Sequence, residues 1–316
     1  MDLQQVTFAN ADLARKTLKV MYPQAKQITL IEHGYDNIVG LVDDIYAVRF
    51  PRNINAYKRS QYEKDILRGL VGLKAIELPH IIEERESPPC LVTTFVHGVH
   101  LSPSEVNDFL PEQQDNFGKS VGRFAFELHS LLSVDEARKY RKKLGLDDLE
   151  EEPWPIYMEK TLVKAKFPTP RQDEYAKEYF KLWKQHDTRA GLVVVHDDLH
   201  TENMLFSQGQ LDGVLDFGDT NIGTPEQELR QLYRINERVL RAAINAYSEL
   251  SGLQLNIEAA INWAVAQELA AYSDRLMTNN TKHPAFARAC QNLNKWLPDG
   301  EWGKGFEIAG RESTLQ

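Results

Sequence analysis

Cysteine is scarce in this chain: Cys90 and Cys290 are the only two among 316 residues, and they lie far apart. That excludes a disulfide scaffold and a thiolate zinc site, and it fits a reducing cytoplasm. No apolar run approaches the ~20 residues that a membrane-spanning helix needs. The opening stretch MDLQQVTFANADLARK lacks the basic start and apolar run of a signal peptide. Internal repeats and low-complexity segments are absent. Positive charge is not in excess either. Lys and Arg number 37 against 46 Asp and Glu, for a net charge of −9. This argues against nucleic acid as the main partner. The expectation is a cytoplasmic chain with neither membrane nor nucleic-acid contacts, and a monomer by default.

What is present is an ordinary globular composition, 42% hydrophobic and 26% charged, in a chain long enough for two domains or lobes. Residues 1–97 carry 12 basic and 12 acidic side chains, whereas residues 98–316 carry 25 and 34. All the excess negative charge therefore falls in the second part. A solvated acidic surface accounts for this, and so does a cleft that attracts a cationic small molecule.

The apolar periodicity divides at the same place. Residues 10–22 read as a helix that Pro23 ends. Strand-like runs follow at Ile28–Glu32, Ile38–Val42 and Ile45–Phe50, with Asp43-Asp44 as a hairpin turn. A helix is expected over 57–70, and another strand over Leu91–Val96. After Gly98 a long helix is expected over 112–132, with Phe117, Val121, Phe124, Leu128 and Leu131 facing inward. Residues 134–190 read as charged helix broken at Pro153, Pro155, Pro168 and Pro170. Short strands at Leu192–Val195, Asn203–Phe206 and Gly213–Asp216 surround a loop, and residues 226–298 read as helical. The expected fold is α+β: a β-rich lobe, residues 1–97, and a mainly helical lobe, residues 98–316, with a cleft between them.

The strongest chemical signal is VVVHDDLHTENMLF, residues 193–206, followed by GVLDFGD, residues 213–219. Asp198 lies five residues before Asn203, and Asp216 lies thirteen after it. Phosphoryl transfer needs an aligned acceptor hydroxyl and cations that neutralise the phosphate oxygens. A carboxylate at Asp198 suits the hydroxyl proton. An amide and a carboxylate at Asn203 and Asp216 are hard oxygen ligands that suit Mg²⁺. His196 reads as a brace for the loop rather than a reactive group.

The pattern H-x-D-L-H-x-x-N with L-D-F-G-D resembles the aminoglycoside phosphotransferase family of protein-kinase-like small-molecule kinases. The form of YAVRFPR and HDDLHTEN is most similar to the branch that modifies a 2″-hydroxyl. The resemblance implies the bilobal kinase-like fold and transfer of the γ-phosphate of ATP or GTP, with Mg²⁺, to a small-molecule hydroxyl. It implies Asp198 as catalytic base and Asn203 and Asp216 as metal ligands. Two positions depart from the family pattern: Asp197 replaces a Gly or Asn, and Glu228 replaces the Asp of a Gly-x-Pro-x-x-Asp turn. In the first lobe, Arg49 of IYAVRFPR stands where the family has a phosphate-anchoring Lys, with Glu63 as its helix partner and Arg52 as a competing cation. Gly34 and Asn37 belong to the loop that would cover the phosphates, and the hinge residues Thr93–Val96, Thr94 and Val96 among them, would bind the base.

A cationic acceptor such as an aminoglycoside would be held by carboxylates, for which Glu226, Glu228, Glu237, Glu268 and Asp274 are candidates, with Trp263 and Tyr272 as wall residues. Two alternatives stand beside this: a kinase of a macrolide, amino alcohol, amino acid or sugar, and a non-catalytic nucleotide-binding protein. A protein kinase is disfavoured, since no Ala-Pro-Glu segment follows Asp-Phe-Gly.

Overall fold

Five strands form one antiparallel sheet near the amino terminus, preceded by helix α1 (Ala11–Met21) and interrupted by helix α2 (Ile54–Gly69). The computed structural model describes residues 7–146, 154–185 and 191–308. Strands β1 (Ile28–Ile31), β2 (Asn37–Val42), β3 (Tyr46–Pro51), β4 (Ile81–Glu86) and β5 (Pro89–Thr94) lie in the order β1-β2-β3-β5-β4. Alternation explains the burial: Ile38, Val42, Val48, Phe50 and Val92 turn to one face and pack against Ala14 and Leu18 of α1. Asp43 and Asp44 form the expected hairpin turn, both with positive φ, 52° and 54°. The Ile45 amide closes it onto the Val42 carbonyl at 2.9 Å.

Strand β4 is absent from the sequence expectation. Its residues, IIEERE, are mostly exposed, because it is the outer strand of the sheet. Charge there blunts an open edge and also hides the apolar alternation. Helix α2 starts three residues earlier than expected, since Asn53 caps it by accepting from the Ala56 amide at 2.9 Å.

The remaining chain is mainly helical: α3 (Pro103–Asn107), α4 (Pro111–Leu131), α5 (Val134–Leu144), α6 (Trp154–Lys164), α7 (Pro170–Lys184), α8 (Pro225–Leu229), α9 (Glu237–Ser251), α10 (Ile257–Met277) and α11 (Pro284–Trp296). Pro170 starts α7 rather than breaking a helix, with Thr169 as its cap. Pro153 lies outside the described residues. Helix α4 buries Phe117, Val121, Phe124 and Leu128 as expected, whereas Leu131 is exposed and Leu132 takes the inward place. Helix α4 crosses α9 with almost no separation. A Cβ on Gly118 would lie 2.5 Å from the Val239 carbonyl oxygen, and one on Gly122 would lie 2.3 Å from that of Ala243. Two short antiparallel pairs complete the fold: β6 (Val193–Val195) with β9 (Asn221–Gly223), and the hairpin β7 (Met204–Ser207) with β8 (Gln210–Val214). They hold the HDDLHTEN loop and the DFGD turn between them. The chain joins this part to the sheet through Val99, which exchanges backbone bonds with Phe206 at 3.0 and 2.9 Å. No helix among the described residues is long and apolar enough to cross a membrane.

Candidate active site

Three donors surround the Asp198 carboxylate, two from the loop between β6 and β7 and one, Gln231, from the segment after α8. His200 Nε2 lies 3.2 Å from Oδ2, Asn203 Nδ2 donates to Oδ2 at 3.1 Å, and Gln231 Nε2 donates to Oδ1 at 3.3 Å. Desolvation works to raise the Asp198 carboxyl, but hydrogen bonds from His200 and Gln231, with the histidine charges, outweigh it. The group is held well below the usual carboxylate range. It therefore stays an anion at neutral pH, with a third of its side chain open to solvent.

The loop is fastened from behind. His196 donates its backbone amide to Glu228 Oε2 at 2.6 Å, its Nε2 meets the Leu215 carbonyl at 2.9 Å, and its ring lies edge-on to Phe217. It braces the loop and does not face the cleft. Asp197 adopts φ 66°, a left-handed conformation that is uncommon for a residue with a side chain. It is held there by Arg230, which lies 2.9 Å from its carboxylate and donates to its carbonyl at 2.8 Å, and by Gln227 at 2.8 Å. The Asp197–Arg230 pair is wholly buried.

From the sheet, Arg49 on β3 pairs with Glu63 on α2. Glu63 also accepts the Phe217 amide at 3.2 Å, and Arg49 Nη2 lies 3.8 Å from Asp216 Oδ1. One carboxylate thus ties the sheet, the helix and the DFGD turn together. Burial works to lower the Arg49 guanidinium, but Glu63 and Asp216 reverse this and raise it, so it stays charged. Arg52 does not compete for this place. Its Nε donates to the Gly34 carbonyl at 2.9 Å and its Nη2 to that of Glu32, which fixes the loop before β2. Asn37 begins β2 directly after that loop. At the connection after β5, the Thr94 amide donates to the His80 carbonyl at 2.9 Å and the Phe95 amide to Ile45 at 2.8 Å. Two of the hinge amides, those of Thr94 and Phe95, are therefore occupied within the sheet region. The Val96 side chain is buried against Gly213.

The donor set fits Mg²⁺. Asn203 spends its amide nitrogen on the Asp198 carbonyl and carboxylate, which leaves its oxygen for a cation. The Asp216 side chain is half exposed toward solvent. Desolvation, then the charges of Asp198 and Asp216, push the neighbouring Asp219 carboxyl up to about 8, with Arg59 opposing. A divalent cation relieves such crowding of carboxylates. Among the described residues no three His, Cys, Asp or Glu side chains converge on a point.

The expected acceptor carboxylates are placed elsewhere. Glu228 is fully buried, bonded to the His196 amide and 3.4 Å from His129, because the loop needs an acceptor beneath it. Glu226 and Glu268 are also buried. Glu237 is exposed, pairs with Arg241, and lines a separate surface cavity with Asp115 and Lys119. Asp274 pairs loosely with Arg275 at 3.6 Å near the far end of α10. Trp263 and Tyr272 pack in the interior against Trp183 and Phe286, as large rings on a central helix do.

The cavity that does adjoin Asp198 has a volume of about 330 Å³ and reaches it through His200 and Gln231. Sequence reasoning assigned no role to Gln231, His200 or Arg230. His200 stood inside the quoted motif, and the polar run EQELRQLYR, residues 226–234, was the signal for the other two.

A model of the phosphotransferase enzyme family matches residues 27–269. The chain belongs to that family and is an enzyme of the kinase-like phosphotransferase class. Among solved structures, the GDP complex of wild-type aminoglycoside 2'-phosphotransferase-IIIa superposes with a TM-score of 0.72 at 19% identity, covering 90% of this chain and 98% of that one. The streptomycin–ATP ternary complex of APH(2")-IIa gives 0.62 at 16%, covering 94% and 99%. Macrolide 2'-phosphotransferase MphH from Brachybacterium faecium gives 0.64 at 16%, covering 89% and 98%. The shared architecture is the bilobal protein-kinase-like fold. No curated protein sequence matches the chain.

Proposed function

We propose that this enzyme transfers the γ-phosphate of ATP or GTP to a hydroxyl of a small molecule, in a cleft between lobes 1–97 and 98–316. One observation carries the reading: Asp198, Asn203 and Asp216 are gathered on one loop system, and Glu63 ties that system to Arg49. The fold's relatives in complex with GDP or with ATP support a nucleoside triphosphate as phosphate donor.

Asp198 accepts a hydrogen bond from the acceptor hydroxyl and takes its proton as the oxygen–phosphorus bond forms and the β–γ bridge breaks. His200 and Gln231 hold the carboxylate in place for this. Arg49 neutralises the donor phosphates, and Glu63 orients Arg49. Arg52 shapes the Gly34–Asn37 loop over them. With the Thr94 and Phe95 amides occupied, base recognition falls to Val96 and the residues after it. Asn203 and Asp216 are the residues that would hold Mg²⁺, which supplies charge neutralisation on the phosphate oxygens. The two cysteines are free and buried, in keeping with a reducing cytoplasm, and the working unit is taken as the monomer.

Relatives that bind kanamycin or streptomycin, and macrolide phosphotransferases, make aminoglycosides and macrolides natural members of an acceptor panel. The acidic residues expected to hold a polycation do not line the cavity beside Asp198, so the proposal stops at a small-molecule hydroxyl. The test is acceptor-dependent nucleotide consumption with Mg²⁺, using Asp198→Asn as comparison. That variant is expected to lose turnover by roughly 10²–10⁴-fold while still binding nucleotide. Turnover at the wild-type rate would remove Asp198 as the base.

A further inference from the structure

The cavity beside Asp198 has a charge opposite to that of the chain as a whole. In a protein of net charge −9, its lining carries Arg234, Arg288 and Lys295 and a single carboxylate, Glu202. Arg234 and Arg288 share one buried partner beneath the wall. Glu268 Oε1 lies 2.7 Å from Arg234 Nε and 3.4 Å from Arg288 Nε. Set against Glu268 and Glu202, the three cations Arg234, Arg288 and Lys295 leave one positive charge in surplus. The Lys295 ammonium donates to the neutral Ile235 carbonyl at 2.7 Å. Desolvation lowers the Lys295 ammonium, and no carboxylate counters it. Arg234 also donates to Gln231, which in turn donates to Asp198. Arg234 is therefore linked through Gln231 to the residue proposed to receive the hydroxyl proton. A polycation entering here would meet like charge in a recess, where screening by water is weak.

We propose that this cavity recognises an acceptor bearing an anionic group, a carboxylate or a phosphate monoester, rather than a polyamine. The assignment rests on the kinase reading for its link to Asp198, but the charge preference of the cavity is measurable without turnover. Arg288 and Lys295 at the open side bind the anion, and Arg234 orients it against Gln231.

The probes are sugars of one carbon skeleton: gluconate, glucose 6-phosphate, glucose and glucosamine, with kanamycin as the polycation. Binding is followed by calorimetry at low and at physiological salt, with Mg²⁺ and ADP present. Gluconate or glucose 6-phosphate is expected to bind roughly tenfold or more tightly than glucose, and more weakly as salt rises. Their comparison tells carboxylate from phosphate. Lys295→Gln, at an exposed position where folding tolerates change, is expected to weaken the anions several-fold and leave glucose unaffected. Arg288→Glu is expected to abolish the preference. Tighter binding of glucosamine or kanamycin, equal binding of all the sugars, or binding of none would overturn the proposal. A fluorescent nucleotide titration separates the two readings. Anion binding in a protein that binds no nucleotide and phosphorylates nothing would sink the kinase reading and leave the cavity assignment standing.

Discussion

Asp198 owes its character to its neighbours. A carboxylate removed from water ordinarily shifts upward, yet His200 and Gln231 hold this one down. A group held low remains ionised as pH falls, so Asp198 does not set the acid limb of the wild-type rate profile near neutrality. His200→Ala removes a hydrogen bond and a charge that favour the anion. The variant's Asp198 then protonates at higher pH than the wild type's, and its carboxyl titration, followed by carbon-13 NMR, is expected to move upward. An unmoved titration would show that His200 does not tune this carboxylate. Asp197 shows the opposite balance. Its burial raises its carboxyl and Arg230 restrains it. Asp197→Ala leaves the buried guanidinium without a counter-charge, for an expected loss of about 3–5 kcal/mol in urea denaturation. Changing Arg230 to Gln in the same protein is expected to recover much of that loss.

At the scale of elements, the decisive feature is how closely α4 and α9 approach. Gly118 and Gly122 sit one turn apart on α4 and let the backbone of α9 come into contact. Backbone cannot yield as a flexible side chain does. Gly122→Val is therefore expected to push α9 outward and to cost about 1–3 kcal/mol, read from the shift of the thermal midpoint. A neutral result would mean that the two helices separate freely. The charged edge strand β4 is not visible as a pattern, and helix α2 is visible as a helix but not as a buried one. Arg59, Glu63, Lys64 and Asp65 on α2 are buried, so their polarity suggests surface while their setting is interior. Helix α4 shows its role plainly, because its apolar face is simply buried.

The whole molecule works through one link between sheet and helices. Glu63 accepts from Arg49 on one side and from the Phe217 amide on the other. Hydrogen bonds to charged groups contribute about 1.5–3 kcal/mol each. Glu63→Gln weakens both, and kcat/KM is expected to fall roughly 10–10²-fold with little change in the far-ultraviolet dichroism. Unchanged kcat/KM would show that the Arg49 position does not depend on Glu63. Charge at this scale is also redistributed. The acidic balance after residue 98 is real, but part of it lies inside: Glu226, Glu228 and Glu268 are buried.

The sequence by itself determined most of the elements and the change from a β-rich to a helical pattern, and it singled out Asp198, Asn203 and Asp216 as candidates. Apolar periodicity is a local property, and Asp198, Asn203 and Asp216 lie close enough in the chain for their spacing to carry meaning. Only the tertiary structure decided which charges face one another. Gln231 reaches Asp198 from 33 positions away, Glu268 lies between two arginines on other segments, and Glu228 turns inward to hold the His196 amide. Composition counts such groups but cannot pair them, because electrostatic energy depends on separation and burial, which only the folded chain sets. For that reason an acidic chain can carry a basic cavity beside the loop that holds Asp198.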